Sequence, residues 1–238
     1  MPINKVFSSF AEAVSDIPNG ATILLDGFAG PGGMASNLIK ALRDHGAKNL
    51  TIVSNAAGLS GFGSKWGRPF IDSAIFFENH QVKKVIASFP VPRSPSQYSA
   101  FYQAFRSGEV ELEVVPQGTL AERIRAGGAG IAAFYTPTGA GTVIAQGKES
   151  RVFDGREYVL EKAIKADFTL MWAYRADTFG NLVYKGSSRN FNAVMAPAGK
   201  TTIVEVDQIV ELGSIDPECI VTPGLYVDRL VQRPPEDK

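Results

Sequence analysis

Three stretches of this chain hold residues suited to binding and polarising oxygen atoms. Gly27-Phe28-Ala29-Gly30-Pro31-Gly32-Gly33 sets closely spaced glycines between an apolar run, 21–25, and an amphipathic one beginning at Met34. Glycine permits close approach of backbone to a ligand, and N–H groups at a helix start favour an anion or a developing oxyanion. Gly27, Gly30 and Gly33 are spaced G-x-x-G-x-x-G, which is not the G-x-G-x-x-G of a dinucleotide fingerprint. Asn55 follows a second apolar run, 50–53, and Gln117-Gly118 follows a third, 111–115. Both amides can donate and accept. A tight βα turn and two turn amides are the bland alternatives. Further glycines at 127 and 128 also point to close backbone approach, without saying to what.

A nucleophile is harder to find. Glu78 and His80 sit in Phe76-Phe77-Glu78-Asn79-His80, but alternation throws sequence neighbours onto opposite faces, so a polar turn explains the stretch better. Cys219 lies in a polar turn with no histidine near it in sequence. With only His45 and His80, a histidine triad or a metal cage is poorly supplied. Half an active site is present: donors for an acyl or phosphate group, without a convincing nucleophile.

The elements that must position these residues alternate. Ser9-x-x-Glu12 has capping-box spacing and predicts a helix to about Asp16. Strands are expected at 21–25, 50–53, 111–115, 168–174 and 201–206, and a short one at 181–184. Met34, Leu38, Ile39 and Leu42 share one helix face, and Gly46 ends that helix. Residues 71–77 and 82–88 read as strands, or as a strand with a short helix. A helix is expected over 120–126, with Thr119 as N-cap and Glu122 in the capping-box position. Asp154-Gly155, between two β-prone runs, predicts a hairpin. The aromatics at 98–105 are expected to pack. Together these elements predict a single α/β domain, 1–238, on a largely parallel open sheet, whose ligands sit beyond the carboxyl ends of the strands.

Composition narrows the partners. Basic and acidic residues balance at 24 each without a basic stripe, which argues against nucleic acid. No apolar run is long enough to span a bilayer, and no signal peptide is evident, so a membrane is not expected. A single cysteine cannot form an internal disulfide and fits a reducing cytoplasm.

Read together, the motifs carry a resemblance. PQGTLAERIRAGGAGIAAFYTPTGAGT at 116–142 resembles the alpha (A) subunit of family I CoA-transferases, of the 3-oxoacid type. So do VSNAAG at 53–58, FDGREYVLE at 153–161, KADFTLMWAYRADTFGNLVY at 165–184, SRNFN at 188–192 and IDPECIVTPGLYVDRLV at 215–231. The resemblance covers nearly the whole chain. It implies an open layered α/β sheet, and a partner beta (B) subunit in a hetero-oligomer, by expectation a heterotetramer. The implied reaction moves CoA from an acyl-CoA to a carboxylic acid, with the CoA thioester as substrate and no bound cofactor. The nucleophilic glutamate is expected in the partner and none in this chain. The family's oxyanion and substrate contacts carry over onto Gly27, Phe28, Ala29, Gly30, Gly33, Asn55, Gln117 and Gly118.

The departures bear on substrate. Phe28 stands in place of a second glycine, Ala35 in place of a proline, and Ala56 in place of a second asparagine. The segment 59–107 diverges most. Arg93 within it could pair a second carboxylate of a dicarboxylic substrate, although a solvated loop arginine is the simpler reading. Relatives on this fold cleave cyclic CoA thioesters, so a subunit of a ring-cleaving hydrolase is the alternative.

Overall fold

The computed structural model describes residues 4–25, 33–58, 71–91 and 99–235. Among these the main sheet has eight strands. Seven run parallel: β1 (Thr22–Leu25), β2 (Leu50–Ala56), β3 (Val82–Phe89), β4 (Glu111–Val114), β8 (Ala166–Asp177), β10 (Gly199–Val210) and β11 (Arg229–Gln232). Their spatial order is β11-β10-β8-β1-β2-β3-β4. The short β9 (Leu182–Val183) pairs antiparallel with β8. The chain winds outward from β1 to β4, then returns to lay β8 on the other side of β1. The order therefore reverses between β1 and β8, the place where open α/β sheets form a crevice.

Both faces are covered, as a parallel sheet requires. Ile23, Ile52 and Val85 pack with Leu38 and Leu42 of α2 (Ser36–His45). Leu24, Val53 and Ile86 point the other way and pack with Leu120 and Ile124 of α5 (Gln117–Gly128). The α2 helix follows its apolar spacing and ends, as expected, at Gly46 in the left-handed region, φ 81°. Near the N-terminus, α1 (Phe10–Ala13) is capped by Ser9, whose hydroxyl accepts from the Glu12 amide. The Glu12 carboxylate reaches one residue past a capping box, to the amide of Ser8.

One open alternative is decided in favour of a strand with a short helix, one local expectation changes, and a third holds. Residues 74–78 form a helix, α3 (Ala74–Glu78), because the Asp72 side chain accepts from the Ala74 amide and opens a helical turn. Its Phe77 then meets Phe101 of α4 (Ala100–Arg106) edge to face at 5.3 Å, so this aromatic packs as expected. Secondly, α5 begins at Gln117, since the Pro116 carbonyl already accepts from the Leu120 amide at 2.8 Å. Thr119 is therefore buried inside the first turn and caps nothing, and Glu122 pairs with Arg125 at 2.6 Å. The Asp154-Gly155 hairpin does form, with both residues at positive φ, 49° and 77°, as a type I′ turn demands. Its strands β6 (Ser150–Phe153) and β7 (Arg156–Lys162) join β5 (Ala133–Thr136) in a separate three-stranded antiparallel sheet.

The glycines that close α5 serve packing. A Cβ on Gly127 would lie 1.8 Å from the Ile164 carbonyl oxygen, and one on Gly128 would lie 2.9 Å from the Pro197 ring. The helix end thus rests directly on backbone. Arg123 secures the same junction by donating to the Lys162 carbonyl at 2.7 Å and pairing with Glu113 at 2.7 Å. Glu113 also pairs with Lys84, so three elements meet at one carboxylate.

Gly127→Ala is expected to destabilise the chain by more than the ~1–3 kcal/mol typical of overpacking, since backbone must move, and to give mostly insoluble protein on expression. Glu113 supplies a pH test. Burial alone would raise its pKa, but hydrogen bonds from Lys84 and Arg123 outweigh burial and hold it below the ordinary 4.5. Its contribution is then fully present above pH 4.5 and fades as pH falls through the lower folded-state value. Urea midpoints measured from pH 7 down to 3 should fall less steeply for Glu113→Gln than for the wild type.

Candidate active site

Along the α5 side of β2 and β3 the residues change character at the carboxyl end. Val53 pairs with Ile86, and both are buried and apolar. Two residues on, the same face carries Asn55 and Ser88, since side chains alternate along a strand. The core stops there and a polar shelf begins. Gln117, first residue of α5, donates from Nε2 to Asn55 Oδ1 at 2.8 Å across 62 positions of sequence. The structure thus brings two of the predicted site residues into direct contact. The pair uses one N–H of Gln117 and the oxygen of Asn55; the Asn55 amino group is not part of it. Gly118 is exposed beside them, with nothing within 4 Å of where a Cβ would stand.

Gly33 is buried at φ 110°, a backbone conformation that favours glycine. Its carbonyl lies 3.4 Å from Asn192 Nδ2, which also donates to the carbonyls of Ser188 (2.8 Å) and Trp172 (3.1 Å). Asn192 therefore ties the chain just before α2 to β8, across the switch point. Gly27, Phe28, Ala29 and Gly30 lie outside the described residues, as does Arg93.

The helix start expected to welcome an anion is already occupied. Glu205 of β10, wholly buried, accepts from the amides of Asn37 at 2.9 Å and Leu38 at 3.0 Å in the first turn of α2. Its other oxygen faces Arg233 at 3.2 Å. Arg233 in turn pairs with Asp207 and lies over the Trp172 ring, whose Nε1 donates to Asp207. The macrodipole of α2 is satisfied internally, which removes its first turn from the ligand contacts. Glu205 is a residue that positions the start of α2 and that motif reading misses. A lone acid in the apolar run Thr201–Val206 is the available signal, but nothing local indicates its partner.

The weaker nucleophile candidates stay apart. Glu78 is exposed at the end of α3, and His80, at φ 51°, pairs with Glu109 at 2.7 Å in the expected polar turn. Cys219 is exposed. Among the described residues no cluster of three or more His, Cys, Asp or Glu could hold a metal, and no helix is long and apolar enough to cross a membrane. The shelf of Asn55, Gln117 and Ser88 offers neutral hydrogen-bond donors, so it can hold and polarise an oxygen atom but supplies no activated nucleophile of its own.

The model of the family described as "Coenzyme A transferase" matches residues 7–233. The chain belongs to the coenzyme A transferase family. It is 50% identical to the A subunit of the 3-oxoadipate CoA-transferase of Pseudomonas putida, over 96% of this chain and 94% of that one. It is 47% identical to the A subunit of the probable succinyl-CoA:3-ketoacid coenzyme A transferase of Bacillus subtilis, over 99% and 93%. An acyl-CoA transferase from E. coli O157:H7, solved as a thioester complex with CoA, shares the fold with TM-score 0.79 at 22% identity. That alignment covers 97% of this chain but 47% of the other, so this chain spans about half its length. For a coenzyme A transferase, the neutral shelf is chemically apt: thioester carbonyls and carboxylates both present oxygens that amide N–H groups recognise.

The buried carboxylate gives a structural prediction. Glu205→Gln keeps the shape but removes one of the two carboxylates facing Arg233, leaving Asp207, and should lower stability by about 2 kcal/mol in urea unfolding. Amide hydrogen exchange at Asn37 and Leu38 should quicken together in that variant, with the rest of α2 less affected.

Proposed function

We propose that this chain is the alpha subunit of a heteromeric CoA-transferase that moves CoA between an acyl-CoA and a short-chain acid of the 3-oxoacid type. The observation that carries the reading is the Asn55–Gln117 amide pair at the strand tips, set in a chain that matches A subunits of CoA-transferases over nearly their full length. The pair binds the acyl oxygen, and Gly118 lets the substrate lie close to the start of α5. Gly33 shapes the neighbouring wall from the β1 side, with Gly27, Phe28, Ala29 and Gly30 assigned to the same wall on sequence grounds. The whole chain, 1–238, acts as one domain, with the three-stranded sheet joined to α5 through Arg123.

The nucleophile is a glutamate of the beta subunit. Its carboxylate attacks the thioester carbonyl, forming a mixed anhydride and releasing CoA thiolate. The thiolate then attacks the glutamyl carbonyl of the anhydride, giving a glutamyl-CoA thioester and freeing the first acid. The second acid takes up CoA by the reverse steps. In each carbonyl addition an oxyanion develops, and the fixed donors of the alpha chain act where that charge appears. The enzyme needs no resident cofactor, since the CoA thioester is itself the substrate, and it works in the cytoplasm as a hetero-oligomer. No observation favours the ring-cleaving hydrolase.

The test is intact mass of the co-expressed alpha and beta chains after incubation with acetoacetyl-CoA or succinyl-CoA. A CoA adduct is expected on the partner only. An adduct on this chain would overturn the division of labour, and free acid formed without an acceptor would point to hydrolysis. Gln117→Ala should lower kcat by roughly 100-fold, the order seen when one oxyanion donor is lost, with the melting temperature little changed because the side chain is exposed.

A further inference from the structure

Ser88 has a place that no motif singles out. The register Ser54–Ala87 and Ala56–Phe89 sets it opposite Asn55 on the adjoining strand. Neighbouring strands lie about 4.8 Å apart, so the two side chains stand side by side on the α5 face. The residue is only partly buried, yet its Oγ is withdrawn from solvent and has no hydrogen-bond partner. Buried hydroxyls elsewhere on the sheet are satisfied: Thr169 donates to the Met195 carbonyl and Thr202 to the Ala196 carbonyl. Two other neutral side-chain atoms are left in the same condition, Thr119 Oγ1 in the first turn of α5 and Asn192 Oδ1 beside Gly33. All three belong to the carboxyl end of the sheet. Stable folds rarely leave such groups unpaired, and their gathering at one end marks it as a place built for something other than stability.

We propose that Ser88 is a third substrate-binding group, resting on the reading of the site above. Its hydroxyl turns about χ1 and donates to a carboxylate or thioester oxygen of an acyl group held against the Asn55–Gln117 pair. Asn55 and Gln117 come from β2 and α5; Ser88 adds a donor from β3 on the same shelf. A carboxylate, with two oxygens and several lone-pair sites, can be met from more than one strand at once.

The proposal makes stability and function move in opposite directions. Ser88→Ala removes an unsatisfied polar atom, so the co-expressed complex of alpha and beta chains should melt at the same temperature or higher. Its kcat/KM for the acceptor acid should fall about 10-fold, as for loss of one hydrogen bond. Ser88→Thr keeps the hydroxyl on a residue suited to a strand and should recover most of the loss. A parallel titration calorimetry of the complex with acetoacetate reads carboxylate binding without any turnover; Ser88→Ala should weaken it by a similar factor. If the wild type fails to transfer CoA but binds acetoacetate through Ser88, the transferase reading fails and this assignment stands. Binding and turnover unchanged in Ser88→Ala would overturn the assignment. So would no acetoacetate binding by the wild type, or a Ser88→Ala loss of activity that tracks a lower melting temperature.

Discussion

The geometry of the carboxyl end of the sheet, where the candidate site lies, rests on one buried carboxylate. Glu205 leaves β10 and accepts from the amides of Asn37 and Leu38, which fixes the start of α2 against a strand two places away from β1. Helix α2 is the element that follows β1, so its first turn determines where the intervening chain must end. An ionised carboxylate in so dry a place would be costly alone. Arg233 opposes it, and Asp207 and Trp172 complete the set, so the desolvation is offset by charge pairing and directed hydrogen bonds. Asn192 adds a second tie, reaching Gly33, Trp172 and Ser188 from one amide. The switch point between β1 and β8 is thus held from both sides.

This arrangement has an electrostatic consequence. A free helix N-terminus beside the proposed acyl site would favour an anion in the ground state as well as in the transition state, and uniform binding does not speed the chemical step. With the α2 dipole answered by Glu205, the proposed site leaves stabilisation of developing charge to neutral donors at the strand tips. Such donors act chiefly where charge grows during the reaction. The shelf of Asn55, Gln117 and Ser88 lies on β2, β3 and α5, elements packed through Val53, Ile86, Leu120 and Ile124. Rigid apolar packing just behind the polar row is what keeps the donors in place.

Much of this is legible in the sequence, and the boundary has a physical meaning. Local pattern locates α2 and six of the seven parallel strands, because those signals are local and the sheet is covered on both sides; the edge strand β11 goes unread. Asp154-Gly155 announces its hairpin because two residues at positive φ admit few other sequences. The candidate residues Asn55 and Gln117 can be picked out by their position after apolar runs, though Asn55 proves to lie within the longer β2 and their contact joins residues far apart in the chain. The failures share a cause. The start of α5 at 117 escapes a reading of side chains alone, because a proline carbonyl takes the role that a threonine hydroxyl could have filled. The anion at α2 is Glu205, 168 positions from Asn37, and no local pattern joins such a pair. The glycines at 127 and 128 suit ligand approach and instead meet Ile164 and Pro197. A residue that permits close approach does not say what approaches.

The buried carboxylates of this chain are committed to its own structure. Its wholly buried carboxylate, Glu205, has one oxygen held by the α2 amides and the other facing Arg233, and with no exposure it cannot attack a thioester. Glu113 and Glu161 are bound into ion pairs that join β3, β4, α5 and β7. Freeing any of these three as a nucleophile would dismantle the scaffold that orients the amide pair. In the proposed division of labour, a carboxylate supplied by a second chain meets no such conflict. That proposed division would let this fold hold an oxygen with neutral donors while its own carboxylates keep the scaffold together.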